Sequence, residues 1–172
     1  TASGTVAGPA GGPLVDAPGY YRADTRFSGA SNAYRVRTAQ DRAVALGSGA
    51  AVVGALAATC SAVAARCAQE PADRVVITRH GDPMLLGEFL VTRVVELVVH
   101  GLDLALGREP WSTEGALRVV LHLLIGDQGQ NLAATLGLTP TSLLLKLTGR
   151  VEHRDDERAR IDALTPRRLT LG

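Results

Sequence analysis

The sequence predicts a mainly α-helical bundle with a small β element and a short C-terminal extension. Three stretches carry that prediction. Residues 90–107 read LVTRVVELVVHGLDLALG, apolar at nearly every position except for a few polar residues at helical spacing. Residues 50–70 are dense in Ala and Val and stop before Pro71, as a helix does. Residues 74–78, Arg-Val-Val-Ile-Thr, are β-branched and short, and His80-Gly81-Asp82-Pro83 follows as a turn, which suits one strand or a small hairpin.

The remaining elements follow in chain order. Residues 1–31 are rich in Gly, Ala and Pro, with turn signals at Gly11-Gly12-Pro13 and Pro18-Gly19, so they are expected to form a loosely packed loop or linker. A helix is expected over 32–46, ending near Gly47, and a second over 50–70. The apolar helix of residues 84–106 closes at Gly107, with Pro110 just beyond. Ser112 or Thr113 followed by Glu114 starts another helix that runs through Leu117, Val120, Leu121 and Leu124 toward about residue 131. A short apolar segment at 141–147 ends at Gly149, a charged surface helix spans 152–162, and the final turn holds Pro166. The expected organisation is a linker over 1–31, a bundle core over 32–135 that is incomplete at its N-terminus, and a short extension over 136–172.

Composition narrows the function classes. At 172 residues and 46% apolar, the chain is long enough to bury a real core, and its 3% aromatic content means that core is built from Leu, Val and Ala. Eighteen basic residues against seventeen acidic ones leave a net charge of +1, which gives no bulk attraction to nucleic acid or anionic membrane. No run of about 18 uninterrupted apolar residues is present, so no membrane span is expected, and no signal peptide is visible. Cys60 and Cys67 lie seven residues apart on a helix, about 10 Å at the helical rise, too far to pair. They are expected to be reduced, buried and inert, in a cytoplasmic protein. Gly47-Ser48-Gly49 lacks the following Lys-Ser/Thr of a phosphate loop.

The chemistry concentrates on Arg93, Glu96, His100 and Asp103. Intervals of three, four and three residues stack them along one helical face. One reading is a solvent-facing stripe of ion pairs on an otherwise packed helix. The other is a metal site: a Glu and a His four apart can reach one ion and leave room for another ligand, while Asp103 orients the His100 ring. His80 lies in a turn, His122 on an apolar helix as a core or boundary residue, and His153 in a charged, solvated tail. Thr148-Gly149-Arg150 reads as a capping Gly followed by a surface Arg.

The segment FLVTRVVELVVHGLDLALG resembles the second metal-ligand helix of the mycothiol-dependent maleylpyruvate isomerase group, within the DinB/YfiT-like superfamily. The matching pattern is Arg93, Glu96, Val99-His100, Asp103 and Gly107. DAPGYYR, DRVVITR, LLLKLTGR and LTPRRLTLG are also similar to segments of that group. The resemblance implies a DinB-like helical bundle and a metal-dependent, thiol-using transferase or isomerase. Glu96 and His100 would ligate a divalent metal, most simply Zn, with Asp103 behind His100 and Arg93 as a helper. The implied cofactor is mycothiol or a related low-molecular-weight thiol, and the implied substrate is an electrophile; a homodimer is an option common to such bundles. The group's first ligand, a His in a pattern like Asp-Leu-Val-x-His-Leu, has no counterpart here. The resemblance therefore implies a chain that begins after that helix or a degenerate member, and the first residue, Thr1 and not Met, favours the former. With two ligands the chain alone is expected to hold Zn weakly or not at all, and a third ligand to tighten binding by orders of magnitude. The competing reading is a non-catalytic helical bundle or dimerisation module. A third is a metal-binding stress protein without thiol chemistry.

Overall fold

A computed structural model describes residues 13–22, 28–105 and 112–164. The expected helix stop at Gly107 and Pro110, the tail LTPRRLTLG beyond Leu164, and residues 1–12 and 23–27 of the expected linker lie outside the described residues. The architecture is mainly α-helical, with one two-stranded sheet among the described residues. The described residues divide into two compact units, one formed by 13–22, 75–105 and 112–164, the other by 28–74.

The first unit opens with a single helical turn, α1 (Ala17–Tyr20), capped by the Asp16 side chain, which accepts from the Gly19 N–H. Residues 15–21 depart from the loose packing expected over 1–31. Ala17, Tyr20 and Tyr21 are buried, the Val15 N–H donates to the Pro83 carbonyl at 2.8 Å, and the Ala17 N–H donates to Glu88 at 2.8 Å. Gly/Pro content forecast an irregular backbone, but the two tyrosines supply enough apolar area to anchor it. Strands β1 (Val75–Ile77) and β2 (Pro83–Leu85) pair antiparallel, with Val76 opposite Met84. Their connection closes on Thr78, whose Oγ1 accepts from His80 and Asp82, and on Gly81, whose φ of 86° needs a residue without Cβ.

Strand β2 runs directly into α4 (Leu86–Leu104). Then come α5 (Glu114–Ile125), a 3-10 turn at Gly126–Gln128, α6 (Gly129–Leu136), α7 (Pro140–Leu147) and α8 (Asp155–Asp162). Where the sequence suggested one helix from Glu114 toward residue 131, Gly126 at φ 66° ends α5, and α6 begins after the turn. Thr113 and Thr139 cap α5 and α7 through their hydroxyls. Helix α5 packs against α4, α6 and α7, and the core gathers around it from Val95, Val98 and Val99 of α4, Val120, Leu121 and Leu124 of α5, and Leu143 and Leu144 of α7.

The charged helix α8 is more than a surface element. Its Glu157 is buried and pairs with Lys146 Nζ at 2.7 Å, and Ile161 is buried beside the core. Lys146 also donates to the Glu152 carbonyl at 2.8 Å. His153 departs from its expected solvation, since its Nδ1 is enclosed without a hydrogen-bond partner. His122, expected in the core or at its boundary, is exposed and pairs with Asp127 at 3.0 Å.

The second unit is a helical hairpin of α2 (Gly29–Leu46) and α3 (Gly49–Cys67). Ser28 and Ser48 cap the two N-termini, and Gly47 at φ 78° ends α2. Neither helix has a fully buried residue, and Val52, Val53, Leu56 and Val63 are exposed. Helix α3 is long and apolar enough, by length and composition, to cross a membrane. Counting uninterrupted apolar residues missed this because Gly, Ser and Thr break the run. The cysteines are free as expected, but Cys60 is exposed and Cys67 half-buried, which corrects the expectation of buried, inert thiols. A lone hairpin covers only one stripe of each helix. Cys60 is therefore expected to react with a maleimide in the native protein as an ordinary exposed thiol, and Cys67 more slowly, as followed by mass spectrometry. Labelling of Cys60 only after denaturant is added would contradict the exposed placement.

Candidate functional site

Helix α4 carries the site on the side it does not commit to the core, where Leu97 and Leu104 are exposed as well. Val95, Val98, Val99 and Leu102 are buried, which turns Glu96, His100 and Asp103 outward on one face. The His100 ring lies between two carboxylates, with Nε2 3.2 Å from Glu96 Oε2 and Nδ1 3.2 Å from Asp103 Oδ2. Asp103 does not end the array. Arg150, 47 residues away, donates from Nε to Asp103 Oδ1 at 2.6 Å and from Nη2 to Asp103 Oδ2 at 2.7 Å. This two-point contact, seconded by His100, holds the Asp103 carboxyl below its ordinary value. The expectation of a plain surface Arg at position 150 is thus corrected.

Beneath Glu96 lies Tyr21, a residue the site search from sequence missed. Its hydroxyl donates to the Thr92 carbonyl at 2.9 Å. Burial pushes its pKa far above the ordinary phenol value, and the negative charge of Glu96 pushes it further, so the phenol keeps its proton. Only the motif DAPGYYR hinted at this residue, and nothing in it says which tyrosine meets α4. Arg93 is half-buried, donates to Thr92 Oγ1 at 3.0–3.1 Å, and lies 4.9 Å over the Phe89 ring and 5.3 Å over the Tyr20 ring. The structure thus brings Glu96, His100 and Asp103 together and turns Arg93 to the aromatic pair.

Glu96 and His100 stand on an open face, with side chains 33% and 49% exposed. A shallow depression lined by Val91, Arg118, His122 and Asp127, among others, includes neither. Among the described residues no three His, Cys, Asp or Glu side chains converge as a metal-binding group, because Asp103 meets the opposite edge of the ring from Glu96. The donor chemistry nevertheless fits one ion at two positions. Two ligands of a tetrahedral ion with bonds of about 2.0–2.1 Å are separated by about 3.3 Å, and the Glu96–His100 separation is 3.2 Å.

In comparison with known proteins, the family described as the mycothiol maleylpyruvate isomerase N-terminal domain matches residues 1–105. That span includes Tyr21, Glu96, His100 and Asp103 and excludes Arg150. No curated protein and no solved structure matches the chain.

Proposed function

The chain belongs to the mycothiol maleylpyruvate isomerase N-terminal domain family, and on that premise we propose that it is a metal-dependent, thiol-using transferase or isomerase whose chemistry centres on Glu96 and His100. One observation carries the reading: a carboxylate oxygen and an imidazole nitrogen lie 3.2 Å apart on an accessible helix face, a separation suited to two ligands of one ion. A bound divalent metal, most simply Zn, would acidify a low-molecular-weight thiol of the mycothiol type and present it as a thiolate to an electrophilic substrate.

The protein's own groups set that centre. His100 offers Nε2 while Asp103 accepts from Nδ1–H, which fixes both tautomer and ring orientation. Glu96 supplies the second donor atom, a carboxylate oxygen. Tyr21, buried beneath Glu96, keeps its proton. Arg93 supports from one side, bracing Tyr20 and Phe89 under the same stretch of α4. The third ligand of an open catalytic site would be the His of the group's pattern, which has no counterpart in this sequence. The alternative, a non-catalytic bundle or dimerisation module with a structural polar stripe, is favoured by the exposure of the pair and its position outside the depression lined by Val91, Arg118, His122 and Asp127.

Titration with Zn²⁺ or Co²⁺ separates the two readings. The two donors stand at ligand separation, so the expectation of weak or no binding narrows to weak but saturable binding by the chain, and His100→Ala or Glu96→Ala is expected to weaken it at least about tenfold. With Co²⁺ bound, a low-molecular-weight thiol should add a thiolate-to-metal absorption band. Binding that is absent, or unchanged in His100→Ala, would sink the metal reading and leave the structural stripe.

A further inference from the structure

We infer that Arg150 is a positioning residue for this site: by gripping both oxygens of Asp103 it fixes the imidazole of His100 for metal binding. The inference rests on the reading of Glu96 and His100 as ligands and adds to it a residue from beyond the matched family region. A polar stripe needs only i,i+3 and i,i+4 pairs within one helix. Arg150 instead arrives from a different element, the segment after α7, and meets Asp103 with the planar two-point geometry that only a guanidinium supplies.

The backbone prepares that meeting. Helix α7 ends in a Schellman motif: the Gly149 N–H donates to the Lys146 carbonyl at 3.0 Å and the Arg150 N–H to the Leu145 carbonyl at 2.8 Å. Gly149 takes φ 72°, a left-handed conformation that L side chains rarely adopt. Arg150 therefore leaves the helix in one direction, and its Nη1 donates back to the Thr148 carbonyl at 3.4 Å. Side-chain freedom is removed before Asp103 is engaged.

The consequence for His100 follows from geometry. An exposed Asp samples several rotamers, and its oxygens would meet the ring only part of the time. With Oδ1 and Oδ2 both held by Arg150, Oδ2 stays 3.2 Å from Nδ1. The ring then keeps Nδ1 toward Asp103 and Nε2 toward Glu96, the arrangement two ligands of one ion require. Arg150 acts only through Asp103.

That last statement makes the test sharp. Co²⁺ affinity is measured for the full chain, Arg150→Ala, Arg150→Lys, Asp103→Ala and the double variant Asp103→Ala/Arg150→Ala, with metal-free thermal unfolding alongside. Arg150→Ala is expected to weaken Co²⁺ binding about 10–100-fold, the usual cost of losing a group behind a metal ligand. Arg150→Lys, which keeps the charge without the fork, should recover part of the loss. In the Asp103→Ala background, Arg150→Ala should change affinity by less than about twofold, because the contact it serves is already gone. A merely structural role would lower the unfolding temperature and leave affinity intact. Unchanged affinity in Arg150→Ala, or an equal further loss in the double variant, would overturn the inference while the Glu96–His100 reading stands. Should Arg150→Ala fail to fold, Arg150→Lys decides: affinity equal to the unaltered chain overturns the inference, and weakened affinity supports it. No Co²⁺ binding by the unaltered chain would overturn the reading itself, and the inference with it.

Discussion

Leu143→Ala is expected to destabilise the first unit by about 2–5 kcal/mol, the range for removing a buried Leu side chain and leaving a cavity. Leu143 is 0% exposed, and α7, which carries it, packs on α5 and α6. Close-packed neighbours on a short helix relax only partly into the space left behind. The contrast lies in the second unit. Leu56→Ala on α3 removes the same atoms from a side chain 57% exposed, so its effect should stay within about 0.5 kcal/mol. Urea unfolding followed by circular dichroism measures both. Equal losses for the two variants would mean that the exposed face of α3 is covered in solution.

Breaking the Lys146–Glu157 pair is the second expected large effect. Lys146 is the only lysine of the chain, and Glu157 is buried with its carboxylate also accepting from the Arg154 N–H at 2.9 Å. Glu157→Ala strands the buried Lys146, and Lys146→Ala leaves Glu157 with only the exposed Arg154 guanidinium at 3.2 Å, so each should lower the Tm clearly. Lys146→Met/Glu157→Leu should lower it less than either, because a buried charge pair is replaceable by apolar contact but not by half of itself. The pair also sets an acid limit. Lys146, with the Arg154 N–H next in effect, holds the Glu157 carboxyl below its ordinary value of 4.5. A depressed carboxyl contributes its stability in full above that ordinary value and loses it as pH falls toward the folded value. Tm should therefore drop below about pH 4.5, and the decline should be shallower in Lys146→Met/Glu157→Leu. An identical acid profile in that double variant would show that other carboxyls set the limit.

Much of the local structure was legible in the sequence because local rules govern it. Thr113 caps α5 through a hydroxyl that reaches the next turn, and Gly47 and Gly149 end helices in a left-handed conformation, as the sequence indicated; the caps at Ser28, Ser48 and Thr139 came only with the structure. The hairpin at 75–85 followed from β-branched residues around a Gly-containing turn. What escaped were packing decisions. Segment 13–22 looked like a linker, yet Tyr20 and Tyr21 bury themselves. The cysteines of α3 looked buried because Ala and Val surround them in sequence, but only a second packed layer would make them so.

The site divides the same way. Sequence alone determined that Glu96, His100 and Asp103 share one helical face, because a period of 3.6 residues places i, i+4 and i+7 together whatever else the chain does. It also carried enough of the family's pattern to place the chain there. Tertiary structure alone decided that Arg150 grips Asp103, that Tyr21 lies under Glu96, and that Arg93 turns to Tyr20. Those contacts join residues 47 to 75 positions apart, so no local periodicity encodes them. They exist because burying α4 against α1 and α5 brings distant side chains to one face, where charge pairing and hydrogen bonding then choose the partners.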